Sequence, residues 1–211
     1  LGSEVIRQLR RHGSINIIST TQKTMDITNL TSVRQQFEQH QPTHVIHCAA
    51  FTQVDNAEKE PLAAFMVNAE GTKNLAFFCH MTDAELIYIS TDYVFNGKKG
   101  KAYVENDPTS PINTYGESKL RGEQYVAALL EKHKIVRTSW LNGLGGVYNR
   151  NFIETMLRVA EHLEDGVEPR GAENPPDTDS FGGHRELFII AQRVGETLDQ
   201  FGPAVMRRAR T

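Results

Sequence analysis

Short apolar runs of strand length alternate along this chain with longer stretches in which apolar residues recur every three to four positions. That order restricts the fold to repeated strand–helix units around a parallel sheet. Candidate strands are Ile15 to Ser19, His44 to Ala49, Glu85 to Ser90 and Lys134 to Thr138. Candidate helices are Ser3 to His12, Leu30 to His40, Pro61 to His80, Thr114 to Lys132 and Asn151 to His162. Pro61 suits the first turn of its helix, where its missing N–H would have no intrahelical partner. A length of 211 residues with 39% apolar content can fill one core. The expected class is α/β, with a doubly wound parallel sheet.

The two ends depart from that pattern. The chain opens on Leu1-Gly2 and a helical stretch with no strand before it, whereas a doubly wound fold ordinarily begins with a strand and a glycine-rich turn. The expectation is a sheet lacking its first strand and that turn, with Gly2 as the turn's remnant. Residues 164–184 are rich in Gly, Pro, Asp and Glu and read as loop; Glu186 to Leu198 reads as helical. Two parts follow: residues 1–163 as an incomplete nucleotide-binding unit, and 164–211 as a divergent, loop-rich then helical segment with at most a partial, irregular substrate region.

A net charge of −3 gives no electrostatic reason to expect nucleic acid or an anionic membrane as partner, and Arg207, Arg208 and Arg210 read as a solvated tail. Cys48 and Cys79 lie in apolar surroundings without metal-ligand spacing, which points to buried thiols in a reducing, cytoplasmic setting. The histidines are scattered, so no metal site is expected. No run approaches the ~18 apolar residues that span a bilayer, and the first residues lack signal-peptide order.

The chemistry-bearing residues are Tyr115 and Lys119, one helical turn apart and so on one face, with Thr91 near the end of the preceding strand. A tyrosine titrates near 10, and a neighbouring ammonium lowers that value. A hydroxyl beside the pair can hold a substrate oxygen, so the set suits carbonyl reduction or alcohol oxidation. Spacing alone fits an ordinary amphipathic helix equally. Gly116 and Gly122 add weight, since each costs about 1 kcal/mol relative to alanine in a helix and suggests a close approach. Ala49-Ala50, after a buried strand, leaves room for a ligand at the sheet's carboxyl edge or simply packs the strand end. Asp26-Ile27 either holds an adenine edge or starts the following helix.

The segments His47 to Glu58, Val67 to Thr72, Ile89 to Gly97, Pro111 to Glu123 and Arg137 to Trp140, in this order, resemble the dTDP-4-dehydrorhamnose reductase family of the extended short-chain dehydrogenase/reductase superfamily. The resemblance spans about residues 1–158 and implies a Rossmann-like fold. It implies Tyr115 as proton donor, Lys119 as the cation that lowers its pKa and binds the nicotinamide ribose, and Thr91 as the group orienting the keto oxygen. Gly2, Asp26, Ile27, Ala49, Ala50, Thr52 and Asn68 would line the cofactor cleft, and Val54, Thr91, Tyr93 and Trp140 the substrate side. His47 stands where family members often carry Asn and reads as a packing substitution. The implied reaction reduces the 4-keto group of a dTDP-linked 6-deoxy sugar to dTDP-L-rhamnose with NADPH, NADH being compatible, in a protein that could be a homodimer. The strand ending Ile18-Ser19-Thr20 lacks the acidic residue that would disfavour NADP. A non-catalytic subunit like the beta subunit of methionine adenosyltransferase, and a nucleotide-sugar epimerase or dehydratase, are the competing classes.

Overall fold

The computed structural model describes residues 1–12, 15–139, 141 and 188–193. Its elements are α1 (Gly2–Leu9), β1 (Ile15–Thr20), α2 (Leu30–His40), β2 (His44–His47), α3 (Val54–Lys59), α4 (Pro61–Phe65), α5 (Thr72–Thr82), β3 (Glu85–Thr91), α6 (Thr114–Leu129), β4 (His133–Thr138) and β5 (Phe188–Arg193). The stretch expected as one helix from Pro61 to His80 is α4, one wider π-helical stretch at Met66–Gly71, and α5. Short 3₁₀ turns follow α1 and β3. The six-residue α3 was not foreseen. The candidate helix Asn151 to His162 lies outside the described residues.

The strands form one sheet in the order β1-β5-β2-β3-β4. The pairs β2–β3 and β3–β4 are parallel, as expected. β5 corrects the reading of Glu186 to Leu198 as helical: residues 188–193 run antiparallel between β1 and β2, Thr20 and His47 both pairing with Phe188. The sheet is therefore mixed rather than wholly parallel. Two facing strands offer rows of N–H and C=O groups, and pairing on both sides outweighs the weak helical preference of a short run that contains β-branched Ile189 and Ile190.

Local chemistry sets the element ends. Asn29 caps α2, its Oδ1 accepting from Thr31 N at 3.0 Å and Ser32 N at 3.2 Å, and Gln41 ends that helix in the left-handed region. Alternation along the strands sends Val45, Leu86 and Tyr88 into the main core with Val33, Phe37, Leu75, Cys79 and Val126 of α2, α5 and α6. Ile15, Ile17 and Ile46 instead join Ile6 and Leu9 of α1. Helices thus cover both faces. Each large side chain fully buried this way contributes about 1.5–3 kcal/mol.

α6 approaches β3 closely because Gly122 has no side chain. A Cβ there would lie 2.5 Å from both Asn68 O and Tyr88 Oη. Alanine would gain about 1 kcal/mol of helix propensity, but a backbone carbonyl cannot swing aside and overpacking of about 1–3 kcal/mol wins. Gly122→Ala is therefore expected to lower the urea midpoint of unfolding; an unchanged or higher midpoint would show that α6 does not sit this close to Asn68.

Candidate active site

The site forms where β3 ends and α6 begins. Asn113 caps α6 by accepting from Gly116 N at 2.7 Å, while Glu58 of α3 accepts from Thr114 N at 2.7 Å and Thr114 Oγ1 at 3.0 Å. A Cβ on Gly116 would collide with Tyr93 O, so glycine lets the first turn of α6 rest on that backbone. The result is an edge-to-face contact of Tyr93 and Tyr115, with ring centroids 5.6 Å apart. Tyr115 is half-buried and also packs on the Phe51–Ala57–Ala64 cluster.

Lys119 is 1% exposed, and its Nζ donates to Ile89 O at 2.7 Å while lying 4.1 Å from the centre of the Tyr88 ring. A buried ammonium needs such partners, because desolvation is otherwise prohibitive. Thr91, two residues beyond Ile89, is buried; its Oγ1 accepts from Tyr93 N at 3.2 Å and donates to Asp92 Oδ1 at 3.3 Å. The last three residues of β3 and the first two turns of α6 thus bring Thr91, Tyr115 and Lys119 to one edge of the sheet.

Asn68 braces this edge from the π-helical stretch. Its Oδ1 accepts from Phe51 N at 2.7 Å, and its Nδ2 donates to Phe51 O at 3.0 Å and Ser118 Oγ at 2.9 Å. Ser118 in turn donates to Tyr115 O at 2.8 Å. Behind it, Thr72 Oγ1 donates to Asn68 O at 2.7 Å, and His47 Nε2 lies 2.9 Å from the same Thr72 hydroxyl. With that hydroxyl proton committed to Asn68, His47 Nε2 is the donor, which fixes the ring tautomer. Burial, reinforced by the Lys119 charge, drives the His47 pKa well below its ordinary value.

Other expected residues take varied places. Ala49 is buried and Ala50 half-buried beyond β2; Thr52 is exposed, and half-buried Val54 opens α3. Tyr93 is 44% exposed. Ile27 is buried against Gly71. Asp26 accepts from Thr28 N at 2.9 Å and Thr28 Oγ1 at 2.7 Å, so it builds the turn before α2, whose cap is Asn29. Gly2 begins α1, whose Ile6 and Leu9 pack with Cys48 just after β2. Burial pushes the Cys48 thiol up to about 11. Trp140 lies outside the described residues.

Sequence reading missed an ion pair between a buried carboxylate and a half-buried guanidinium. Glu123, one turn past Lys119, is 4% exposed and accepts from Ser90 Oγ at 2.6 Å. Arg137 of β4 grips the same carboxylate with two bonds, Nε at 2.9 Å and Nη2 at 2.6 Å. Its signal in the sequence is an acidic residue at i+4 from Lys119 on the face of α6 that carries Gly122 and Val126. Among the described residues there is no cluster of three or more His, Cys, Asp or Glu suited to a metal, and no helix long and apolar enough to cross a membrane.

Residues 1–166 match the family model described as the RmlD substrate binding domain. The chain is 44% identical over 165 residues to the spore coat polysaccharide biosynthesis protein SpsK of Bacillus subtilis, covering 78% of this chain and 57% of that one. It is 42% identical over 168 residues to a dTDP-4-dehydrorhamnose reductase of Streptomyces griseus, covering 79% and 54%. Among solved structures, a dTDP-4-dehydrorhamnose reductase of Bacillus anthracis in complex with NADP superposes with a TM-score of 0.64 at 47% identity, over 67% of this chain and 49% of that chain. The chain spans little more than half the length of these curated relatives.

His47 makes stability depend on pH. Above its unfolded value near 6.5 both states are neutral and it contributes nothing; below that value the unfolded chain gains a proton that the folded chain refuses, so stability falls as pH falls. Replacing it by His47→Asn removes this component. Between about pH 8 and about pH 5.5, wild type is expected to lose about 1 kcal/mol more unfolding free energy than the variant in urea titrations. Parallel pH curves for the two proteins would contradict a neutral buried His47.

Proposed function

The chain belongs to the RmlD substrate-binding domain family, and from that premise we propose that it serves NAD(P)H-dependent reduction of the 4-keto group of a dTDP-linked 6-deoxy sugar, giving dTDP-L-rhamnose. The observation that supports this reading is that Thr91 ends β3 while Lys119, one turn after Tyr115 on α6, bonds Ile89 O of the same strand, at the edge where open α/β folds bind ligands.

Several features fit a nicotinamide dinucleotide. Thr20 ends β1 with a buried hydroxyl that has no hydrogen-bond partner among the described residues. A hydroxyl there, rather than a carboxylate, leaves a ribose 2′-phosphate unopposed. Ala49 and Ala50 present little side chain beyond β2, and Gly2 opens a helix whose Ile6 and Leu9 pack with Cys48. Asp26, Ile27, Thr52 and Asn68 complete the set assigned to the cofactor, Asn68 by bracing the Phe51 backbone. A bound NADPH supplies hydride; NADH fits the same residues.

The chain's own residues handle the proton. Tyr115 donates it from its phenol to the oxygen that becomes an alcohol, and the Lys119 ammonium stabilises the phenolate left behind. Lys119 also offers a donor to the nicotinamide ribose. Thr91 holds the keto oxygen beside the phenol, and Val54, Tyr93 and Trp140 face the sugar nucleotide. In this reading residues 1–163, which fall within the family match over residues 1–166, form the nucleotide-binding unit. Two free cysteines fit a cytoplasmic setting.

In an assay following NADPH absorbance with the dTDP-4-keto-6-deoxy sugar, Tyr115→Phe is expected to lower turnover at least about 100-fold while leaving NADPH affinity nearly unchanged. Normal turnover by this variant would remove Tyr115 as proton donor.

A further inference from the structure

The ion pair behind the acid–base residues has no part in the proton transfer described above, yet it touches the backbone and side chains that place them. Lys119 and Glu123 stand four residues apart on α6, about 5–6 Å between Cβ atoms. They reach consecutive residues of β3, Lys119 Nζ to Ile89 O at 2.7 Å and Glu123 Oε1 to Ser90 Oγ at 2.6 Å. Ser90 and Arg137 are partners in the β3–β4 register, and both hold the same carboxylate. Thr138 Oγ1 adds a bond to Ser90 O at 3.2 Å. Arg137 is fixed in turn from its outer side, its Nη1 donating to Glu105 O at 3.3 Å and its guanidinium lying 5.0 Å from the Phe95 ring centre.

We propose that Ser90, Glu123 and Arg137 form a positioning clamp for the acid–base site, fixing the turn of α6 that carries Lys119 against the strand end that delivers Thr91. The proposal rests on the reductase reading for its catalytic consequence. A buried carboxylate paired with a half-buried guanidinium is an expensive way to join a helix to a strand, because desolvation of Glu123 offsets much of the attraction. What they supply that an apolar contact would not is direction: a carboxylate gripped by a planar two-pronged donor and a hydroxyl allows one arrangement of three backbones. Glu123 and Arg137 carry opposite charges at bonding distance, so the clamp adds little net field to the cation of Lys119.

The test uses Ser90→Ala, which leaves every charge in place, and Arg137→Lys, which keeps the charge but loses the two-pronged grip. Val33→Ala, in α2 and away from the clamp, serves as a control of comparable destabilisation. The primary readout needs neither cofactor nor turnover: the titration of the Tyr115 phenol in the full chain, followed by NMR with carbon-labelled tyrosine and assigned by its loss in Tyr115→Phe. If Lys119 is displaced, the phenolate loses a neighbouring cation, so both clamp variants should move the midpoint upward by about half a pH unit or more. Val33→Ala should leave it in place. In the NADPH assay both should lower kcat at least about tenfold with KM within about twofold, the mark of an interaction made in the transition state. Midpoints matching wild type in both variants would overturn the proposal and leave the pair a packing element. Shifted midpoints in a chain whose wild type shows no turnover would retain the clamp and reject the reductase reading.

Discussion

Three consecutive residues at the end of β3 are each engaged by a different device, and the rest of the site depends on that. Ile89 gives its carbonyl to Lys119, Ser90 gives its hydroxyl to Glu123, and Thr91 turns its hydroxyl back to cap Tyr93. The strand end therefore cannot slide along α6 without breaking the Ile89 and Ser90 bonds together. Net hydrogen bonds contribute about 0.5–1.5 kcal/mol each, but a buried donor or acceptor left unmade costs more, so such a group resists small displacements. An acid–base site needs its groups placed within fractions of an ångström, and this arrangement imposes that through backbone geometry rather than through the flexible side chains alone.

The approach of α6 to the sheet depends on absence as well as contact. Gly116 and Gly122 point to different neighbours around the helix, and a methyl on either would meet backbone: Tyr93 O at the first, Asn68 O at the second. The carbonyl of Asn68 is an acceptor for Thr72 and lies within reach of the Tyr88 phenol, so it has no freedom to retreat. The wide helical stretch at Met66–Gly71 makes this possible. It carries the side chain of Asn68 toward both Phe51 and Ser118, joining the chain after β2 to the turn that bears Tyr115. His47, where the family resemblance leads one to expect Asn, fits the same network as a neutral donor to Thr72.

Much of this was legible in the sequence where a single periodicity or spacing carried the information. The first four strands fall within one or two residues of expectation, α2 matches residue for residue, and the Tyr115–Lys119 spacing identified the helix at the site. What escaped notice depended on partners far away in the chain. α3 is too short to show a helical period. The break in the Pro61 to His80 helix has no glycine or proline at Met66 to announce it. Glu123 reads as a solvated charge on an amphipathic helix, because acidic residues are rarely buried without a partner and Arg137 lies fourteen residues away in another element. Asp26 was open to two readings, and its bonds to Thr28 place it in a turn, with Asn29 taking the helix cap.

β5 separates two requirements that are usually met by one strand. β1 and β2 each present an edge whose N–H and C=O groups need partners, and a strand of either direction between them satisfies that need. Direction decides what reaches the carboxyl edge of the sheet. A parallel strand would deliver there the turn that follows it, which in dinucleotide-binding folds receives the phosphates; an antiparallel one places its own first residue, Phe188, there, opposite Thr20 and His47. The β3–α6 site is indifferent to this choice, since neither strand borders β5 or draws any of its described bonds from it. In the proposed reading, the residues assigned to proton transfer and those assigned to the cofactor's phosphates therefore sit on separable parts of the sheet, and the geometry at Tyr115 and Lys119 can be set by β3, β4 and α6 whatever strand lies between β1 and β2.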